Sequence, residues 1–310
     1  MSTGGRLEKI AASAALAGAG TLWGLGFPLG KVALRELPPA TIVFYRFALA
    51  SALLMPMALR AQPAPARRDW LLFLLTALLT VPLTFTLQFV GLQYTSAASA
   101  ALIMGMATPM LAVSAVFLDG ESLSPGGWAA VLLSTLGVAL VASRPSEHGL
   151  LGDGLVLLSA ASAVAGILLT KKLLRRYSAL TVTAWTIFIG AAGQLPLAVL
   201  SEGWPTIPRT GPVRAALLAM GFGCSALTYI LYNWGLARVG AANASVYLNL
   251  EPVVGALVGV SFLHERLSAG GVLGGILVVA AAAYVSLPGT SSKQVRPQGA
   301  SFLRKPRLPG

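Results

Sequence analysis

Charge is what this chain lacks most. Only 10% of its 310 residues are Asp, Glu, Lys or Arg, while 56% are hydrophobic, and the mean hydropathy is +0.77. A soluble domain carries about 25% charged residues because its surface must face water. So little polar surface cannot cover a chain of this length, which excludes a soluble globule and makes lipid part of the solvent. Cysteine is nearly absent as well. The single Cys224 excludes an internal disulfide and any Cys-based metal cluster; inside an apolar run it reads as a small buried thiol. The two histidines, His148 and His264, fall in expected outer loops far apart, and no acidic pair shares an apolar run. An enzyme's nucleophile, base and orienter are therefore missing, as is a metal site, and no cofactor is implied. A nucleotide-driven pump is excluded in the same way. Gly30-Lys31 lacks both the glycine five residues earlier and the following Ser or Thr of a phosphate-binding loop.

What the chain has is a series of apolar runs, each near the roughly 20 residues a helix needs to cross hydrocarbon. None alternates with period two, which argues against a β-barrel. The expected fold class is an all-α polytopic membrane protein of ten spans: 11–33, 40–60, 70–92, 96–118, 125–143, 152–171, 180–200, 213–237, 240–263 and 268–287. The first run follows Arg6 and Lys9 as a signal peptide would, but it is too long, and nine more follow it. The net charge of +12 is explained by topology rather than by nucleic acid, which is not an expected partner. With the N-terminus inside, fifteen Lys and Arg fall on the cytoplasmic side and six outside, so both termini come out cytoplasmic. The expected organisation is a cytoplasmic N-terminus (1–10), a first five-helix unit (11–143), a linker (144–151), a second unit (152–287) and a basic, Gly-, Pro- and Ser-rich disordered tail (288–310).

The two units repeat one another. LTFTLQFVGLQY (83–94) matches LTYILYNWGLAR (227–238) at an offset of 144, and FLDGESLSPGG (117–127) matches FLHERLSAGG (262–271) with one deletion. Pro109 corresponds to Pro252, Lys31 to Lys171 and Pro56 to Pro196. Five spans per unit is an odd number, so the second copy enters the membrane inverted, a recurring plan of secondary transporters. These paired units resemble the EamA-type drug/metabolite transporters over residues 11–287. So do the basic loop after the second span, Arg46-Phe47, Glu251-Pro252 and the LHERLSAGG stretch (263–271). The resemblance implies ten helices around a central cavity lined by helices 1, 3, 4, 6, 8 and 9. It also implies transport, often export, of amino acids or related metabolites across the inner membrane of a bacterium. The first unit departs from the second at one place, where Thr108 stands for Glu251.

Prolines mark the expected site. Pro252 cannot donate to the carbonyl of Leu248, nor Pro109 to that of Gly105, and carbonyls freed at this depth need cover from protein or cavity water. Gly105/Pro109 and Leu248/Pro252 are accordingly expected hinges, with a structural kink as the competing reading. Around them, Asn243, Tyr247 and Glu251 share a helical stripe, as do Met104 with Thr108, and Thr80 and Thr84 with Gln88. Tyr229 and Asn233 share a face in the eighth span, and Trp23 and Phe27 lie one turn apart in the first. The expected substrate-binding residues are therefore Trp23, Phe27, Gln88, Met104, Thr108, Tyr229, Asn233, Asn243, Tyr247 and Glu251. An aromatic, amide and hydroxyl lining suits a small zwitterionic or aromatic solute.

Glu251 is the sharpest of these, because an acid at mid-span costs about 2.5–3.5 kcal/mol on insertion scales. Binding a substrate amine, exchanging a proton and locking helices remain open for it, and with them proton coupling. Arg46, about 9 Å in from the outer end of its span at 1.5 Å per residue, is assigned a gating or structural role ahead of ligand contact. Ser124 and Ser268 are expected N-caps, and Glu121 and Glu265 are expected to bond loops or helix ends. Glycine pairs such as Gly20/Gly24 and Gly255/Gly259 permit close helix approach. The expected function is transport by alternating access, with a small solute and the bilayer as partners. A carrier of anionic metabolites such as nucleotide sugars is the second reading, and a membrane-embedded structural or receptor protein the third. Substrate, direction, coupling ion and oligomeric state stay open.

Overall fold

The computed structural model describes residues 3–61, 64–119, 122–142, 149–239, 244, 247–285 and 291–292. The chain runs as α1 (Thr3–Ala33), α2 (Pro39–Ala61), α3 (Trp70–Leu78), a π-helical segment (Leu79–Leu83), α4 (Thr84–Tyr94), α5 (Ala97–Met104), α6 (Ala107–Asp119), α7 (Pro125–Ala142) and α8 (Gly149–Leu174). It continues as α9 (Ala179–Glu202), α10 (Gly211–Leu218), a second π segment (Ala219–Leu227), α11 (Thr228–Val239), α12 (Leu250–Phe262) and α13 (Ala269–Val285). Two residues of the expected disordered tail, Ser291–Ser292, pair antiparallel with Ser122–Leu123.

Among the described residues, seven helical stretches are long and apolar enough to cross a bilayer, and Pro125–Val141, Leu250–Phe262 and Ala269–Ala281 are shorter apolar helices. The molecule is turned inside out relative to a soluble protein. Leu71, Leu132 and Leu200 are 67%, 70% and 86% exposed, whereas Arg46, Gln88, Gln194 and Asn233 are buried. A surface of exposed leucines is stable only against hydrocarbon. The chain is an integral membrane protein built of helices.

Local signals set the helix starts. Ser124 and Ser268 are N-caps as expected, accepting from the amides of Gly127 at 3.1 Å and Gly271 at 3.0 Å. Ser96 and Ser178 cap α5 and α9 in the same way. Glu265 bonds a helix end, but of a different helix: its two oxygens accept from the amides of Ala97 and Ala98, each at 2.8 Å. Glu202 does the same for Ala40 and Thr41 at the start of α2. Glu121 lies outside the described residues.

Glycine brings the helices together. A Cβ on Gly91 would lie 2.7 Å from the carbonyl of Gly152, and one on Gly152 2.8 Å from that of Gly91, so α4 and α8 touch backbone to backbone. Gly24 meets the Glu251 carbonyl in the same manner, which seats α1 against α12. Elsewhere α2 lies along α9 and α7 along α13. This is the small-residue packing that membrane helices use where no hydrophobic force draws them together.

Candidate functional site

Four helical breaks converge on the centre. The expected fourth span is interrupted at Gly105–Met106, where the amides of those two residues fold back to Leu102 and Ile103 at 3.1 and 3.0 Å. A turn at Asn249 separates helical Tyr247 and Leu248 from α12. Both interruptions fall where Pro109 and Pro252 remove a donor. They are also joined, since the Thr108 hydroxyl donates to Asn249 Oδ1 at 2.9 Å. The other two breaks are the π segments. In each, a threonine hydroxyl closes the wide turn: Thr84 Oγ1 donates to the Leu79 carbonyl at 2.6 Å, and Thr228 Oγ1 to that of Gly223 at 2.7 Å. These two bonds stand 144 residues apart, the offset of the sequence repeat. π turns inside α-helices are frequent at functional sites.

A central cavity lies among these breaks. Of the expected binding residues, Trp23, Phe27, Gln88, Met104, Tyr229, Asn233 and Glu251 line it, as do the expected hinge residue Leu248 and Arg46. Thr108 does not; its hydroxyl is spent on Asn249. Tyr247 packs against α1 instead, its carbonyl standing where Gly20 would carry a Cβ. Asn243 lies outside the described residues. Gly105 abuts Val278 and Pro252, and Pro109 faces a separate apolar crevice with Met106 and Met110.

The lining is aromatic on one wall. Trp23 meets Tyr229 edge-on at 5.3 Å between centroids and Tyr232 at 4.9 Å. Some polar groups are already engaged: Asn233 donates to Thr183 Oγ1 at 2.8 Å, and the Met104 sulfur accepts from Ser159 at 3.4 Å. Others are not engaged. Among the described residues the Tyr232 hydroxyl, itself buried, has no hydrogen-bond partner. Among the described residues, nothing donates to the Glu251 carboxyl or bonds the Gln88 amide. Arg46 is buried, with its Nε on Ser225 Oγ at 2.6 Å and its Nη2 on the Cys224 carbonyl at 2.8 Å.

The resemblance put the sixth span on the cavity wall, but sequence reasoning did not pick out its residues. Ala163, Ile167 and Thr170 of α8 face the cavity, and two of the three are apolar, so nothing in the pattern sets them apart from lipid-facing residues. Gly26, which with Gly30 has the spacing of a helix-packing pair, lines the cavity beside Arg46.

Fold and cavity together define a polytopic helical membrane protein with a central cavity. The chain belongs to the EamA-like transporter family, whose model matches residues 10–143 and again 150–287. It is similar to an uncharacterized transporter of Archaeoglobus fulgidus, at 29% identity over 84% of this chain and 91% of that one. It is also similar to the uncharacterized transporter YvbV of Bacillus subtilis, at 27% identity over 93% of this chain and 94% of the relative. A solved crystal structure shares the fold with a TM-score of 0.65, covering 88% of this chain and 95% of its own at 19% identity. The protein is a transporter and not an enzyme.

Proposed function

We propose that this protein is a secondary carrier that exports small amino-bearing metabolites, amino acids or related solutes with aromatic ones among them, by alternating access. The observation that carries the reading is Glu251, a carboxyl facing an aromatic-walled cavity with no donor among the described residues. A substrate ammonium supplies that donor, and Trp23 and Tyr232 beside it favour both cations and rings. The carrier of anionic metabolites is less favoured, because Arg46 is the one Lys or Arg among the cavity-lining residues.

The proposed topology is ten spans in two inverted halves, with both termini in the cytoplasm of a bacterial cell. Contacts between distant loops support it. Glu202 with Ala40, Glu265 with Ala97, and Asp69 with Arg176 each join residues that this topology assigns to one membrane face. In the proposed cycle the halves rock about the cavity, with Gly105/Pro109 and Leu248/Pro252 as hinges.

Purified protein in liposomes preloaded with unlabelled solute tests the reading by counterflow, using a panel of labelled amino acids and small metabolites. Accumulation of at least one amino-bearing solute, lost in Glu251→Gln with the melting transition retained, is the expected result. Uptake confined to amine-free anions would replace it with the anionic carrier. Silence across the panel from folded protein would count against transport of this class altogether.

A further inference from the structure

The cavity holds a second ionisable group that the carboxyl of Glu251 does not use. Arg46 is 1% exposed, and three contacts hold it still: Ser225 Oγ, the Cys224 carbonyl, and the Phe85 ring, whose centroid lies 4.3 Å from the guanidinium carbon. All three are neutral. Among the described residues no carboxylate comes within 4.0 Å of it; Glu251 lines the same cavity and attracts it from across that space without touching it. A buried charge without a counter-charge in contact is costly, and proteins seldom keep one without a use.

The geometry shows where a counter-charge would sit. A guanidinium presents five N–H donors, and the two bonds above use only Nε and Nη2, leaving Nη1 without a hydrogen bond among the described residues. Nη1 is turned toward Gly26 of α1. A Cβ built there would lie 3.7 Å from Nη1 and 3.9 Å from Nη2, and would meet nothing else within 4 Å. The approach to this edge is kept clear by the absence of a side chain. Because Ser225 and Cys224 belong to the π segment, that wide turn is also what aims the guanidinium.

We infer that the Nη1 edge of Arg46 is the receptor for a substrate carboxylate. The solute is then a zwitterion held between two opposite charges, its ammonium at Glu251 and its carboxylate at Arg46. This rests on the proposed function and narrows it: an amine alone leaves Arg46 unpaired, and an acid alone leaves Glu251 unpaired. Arg46 becomes a specificity-determining residue, and Gly26 the residue that keeps it open.

Matched solutes test this directly. Phenylalanine, phenethylamine and 3-phenylpropionate share a skeleton and differ in which charges they carry; leucine, isoamylamine and 4-methylpentanoate form a second set. Binding is followed by tryptophan fluorescence of the purified full chain, and accumulation in liposomes. Wild type is expected to bind at least one of the amino acids about tenfold or more tighter than its matched amine or acid, as one charge-assisted bond allows. Gly26→Ala sets a methyl at ordinary contact distance from the guanidinium and so keeps the fold. It is expected to bring the amino acid down to the level of the amine while leaving the amine unchanged. Arg46→Gln alone would be ambiguous, since it also breaks the Ser225 and Cys224 bonds. An amine that binds as well as its amino acid in wild type overturns the inference, as does an equal loss of both in Gly26→Ala, or no binding of any of these solutes. Charge-selective binding without accumulation would uphold the receptor and sink the transport reading; accumulation without charge selection would do the reverse.

Discussion

At Gly24 an added methyl would lie 2.7 Å from the Glu251 carbonyl and 2.8 Å from Val254 Cβ, on a neighbouring helix whose backbone cannot yield. At Gly154 it would meet nothing within 4 Å. One substitution is therefore expected to act with opposite signs. Gly24→Ala should destabilise by about 1–3 kcal/mol through overpacking, whereas Gly154→Ala should stabilise by about 0.5–1 kcal/mol through helix propensity. Thermal melts of both variants in one detergent check this, and a matching loss at Gly154 would contradict the packing described here. Residues at this scale were legible in the sequence when polarity betrayed them. Glu251, Gln88 and Asn233 stand out from apolar runs, and all three line the cavity. Ala163 and Ile167 line it as well but carry no such mark, because a helix facing a mostly apolar chamber is written in the same letters as one facing lipid.

The breaks inside helices divide by how much sequence reveals them. Proline announces a lost donor, and the interruptions at Gly105–Met106 and Asn249 lie one turn from Pro109 and Pro252. Restoring an N–H with Pro252→Ala should slow transport several-fold while leaving the melting temperature unchanged or raised; an unchanged rate would remove the hinge role. The π segments were not legible, although Pro82 lies in one and Gly221 and Gly223 in the other. A threonine in a membrane helix bonds its own backbone in several registers, and only the fold selects the register of Thr84 and Thr228. Thr84→Val and Thr228→Val should each remove one hydrogen bond from a carbonyl that keeps its backbone partner, and cost about 0.5–1.5 kcal/mol. Their costs should add in the double variant, since the two sites share no partner. Single variants that melt like wild type would mean that these hydroxyls do not hold the wide turns.

Across the whole molecule, the ends of the bundle are tied by ionic and carboxylate contacts that no hydropathy pattern predicts, because each joins loops far apart in sequence. On the proposed outer face, Glu36 accepts from the Thr210 hydroxyl and from the amides of Arg209 at 2.8 Å and Thr210 at 3.2 Å. On the other, Asp69 accepts from Arg176 and from the Tyr177 hydroxyl. The Thr210 hydroxyl, aided by the two amides and against burial, holds the Glu36 carboxyl below its ordinary value of 4.5. A lowered folded value means the contact contributes fully above the ordinary value and fades as pH falls through the folded one. Hydrogen-exchange protection at Arg209 and Thr210 should therefore drop in acid below 4.5. In Glu36→Gln it should be low throughout and flat with pH; protection that stays high in acid would show that something else secures this loop. The spans themselves were readable because hydrocarbon imposes a length and a composition on every helix that crosses it. How those helices are lashed together was not.

The single bond between Thr108 and Asn249 has a meaning for the cell's electrical economy. It ties one broken helix to another at the middle of the proposed path. On the proposed cycle, parts that moved independently would at times leave the path unsealed at both ends. A membrane voltage works on any ion in such a path with about 2.3 kcal/mol per elementary charge per 100 mV, so even brief slippage would short-circuit the gradient that the cell maintains. On that cycle the shared hydrogen bond would make the motion of either break felt by the other, and so help the carrier to remain an insulator.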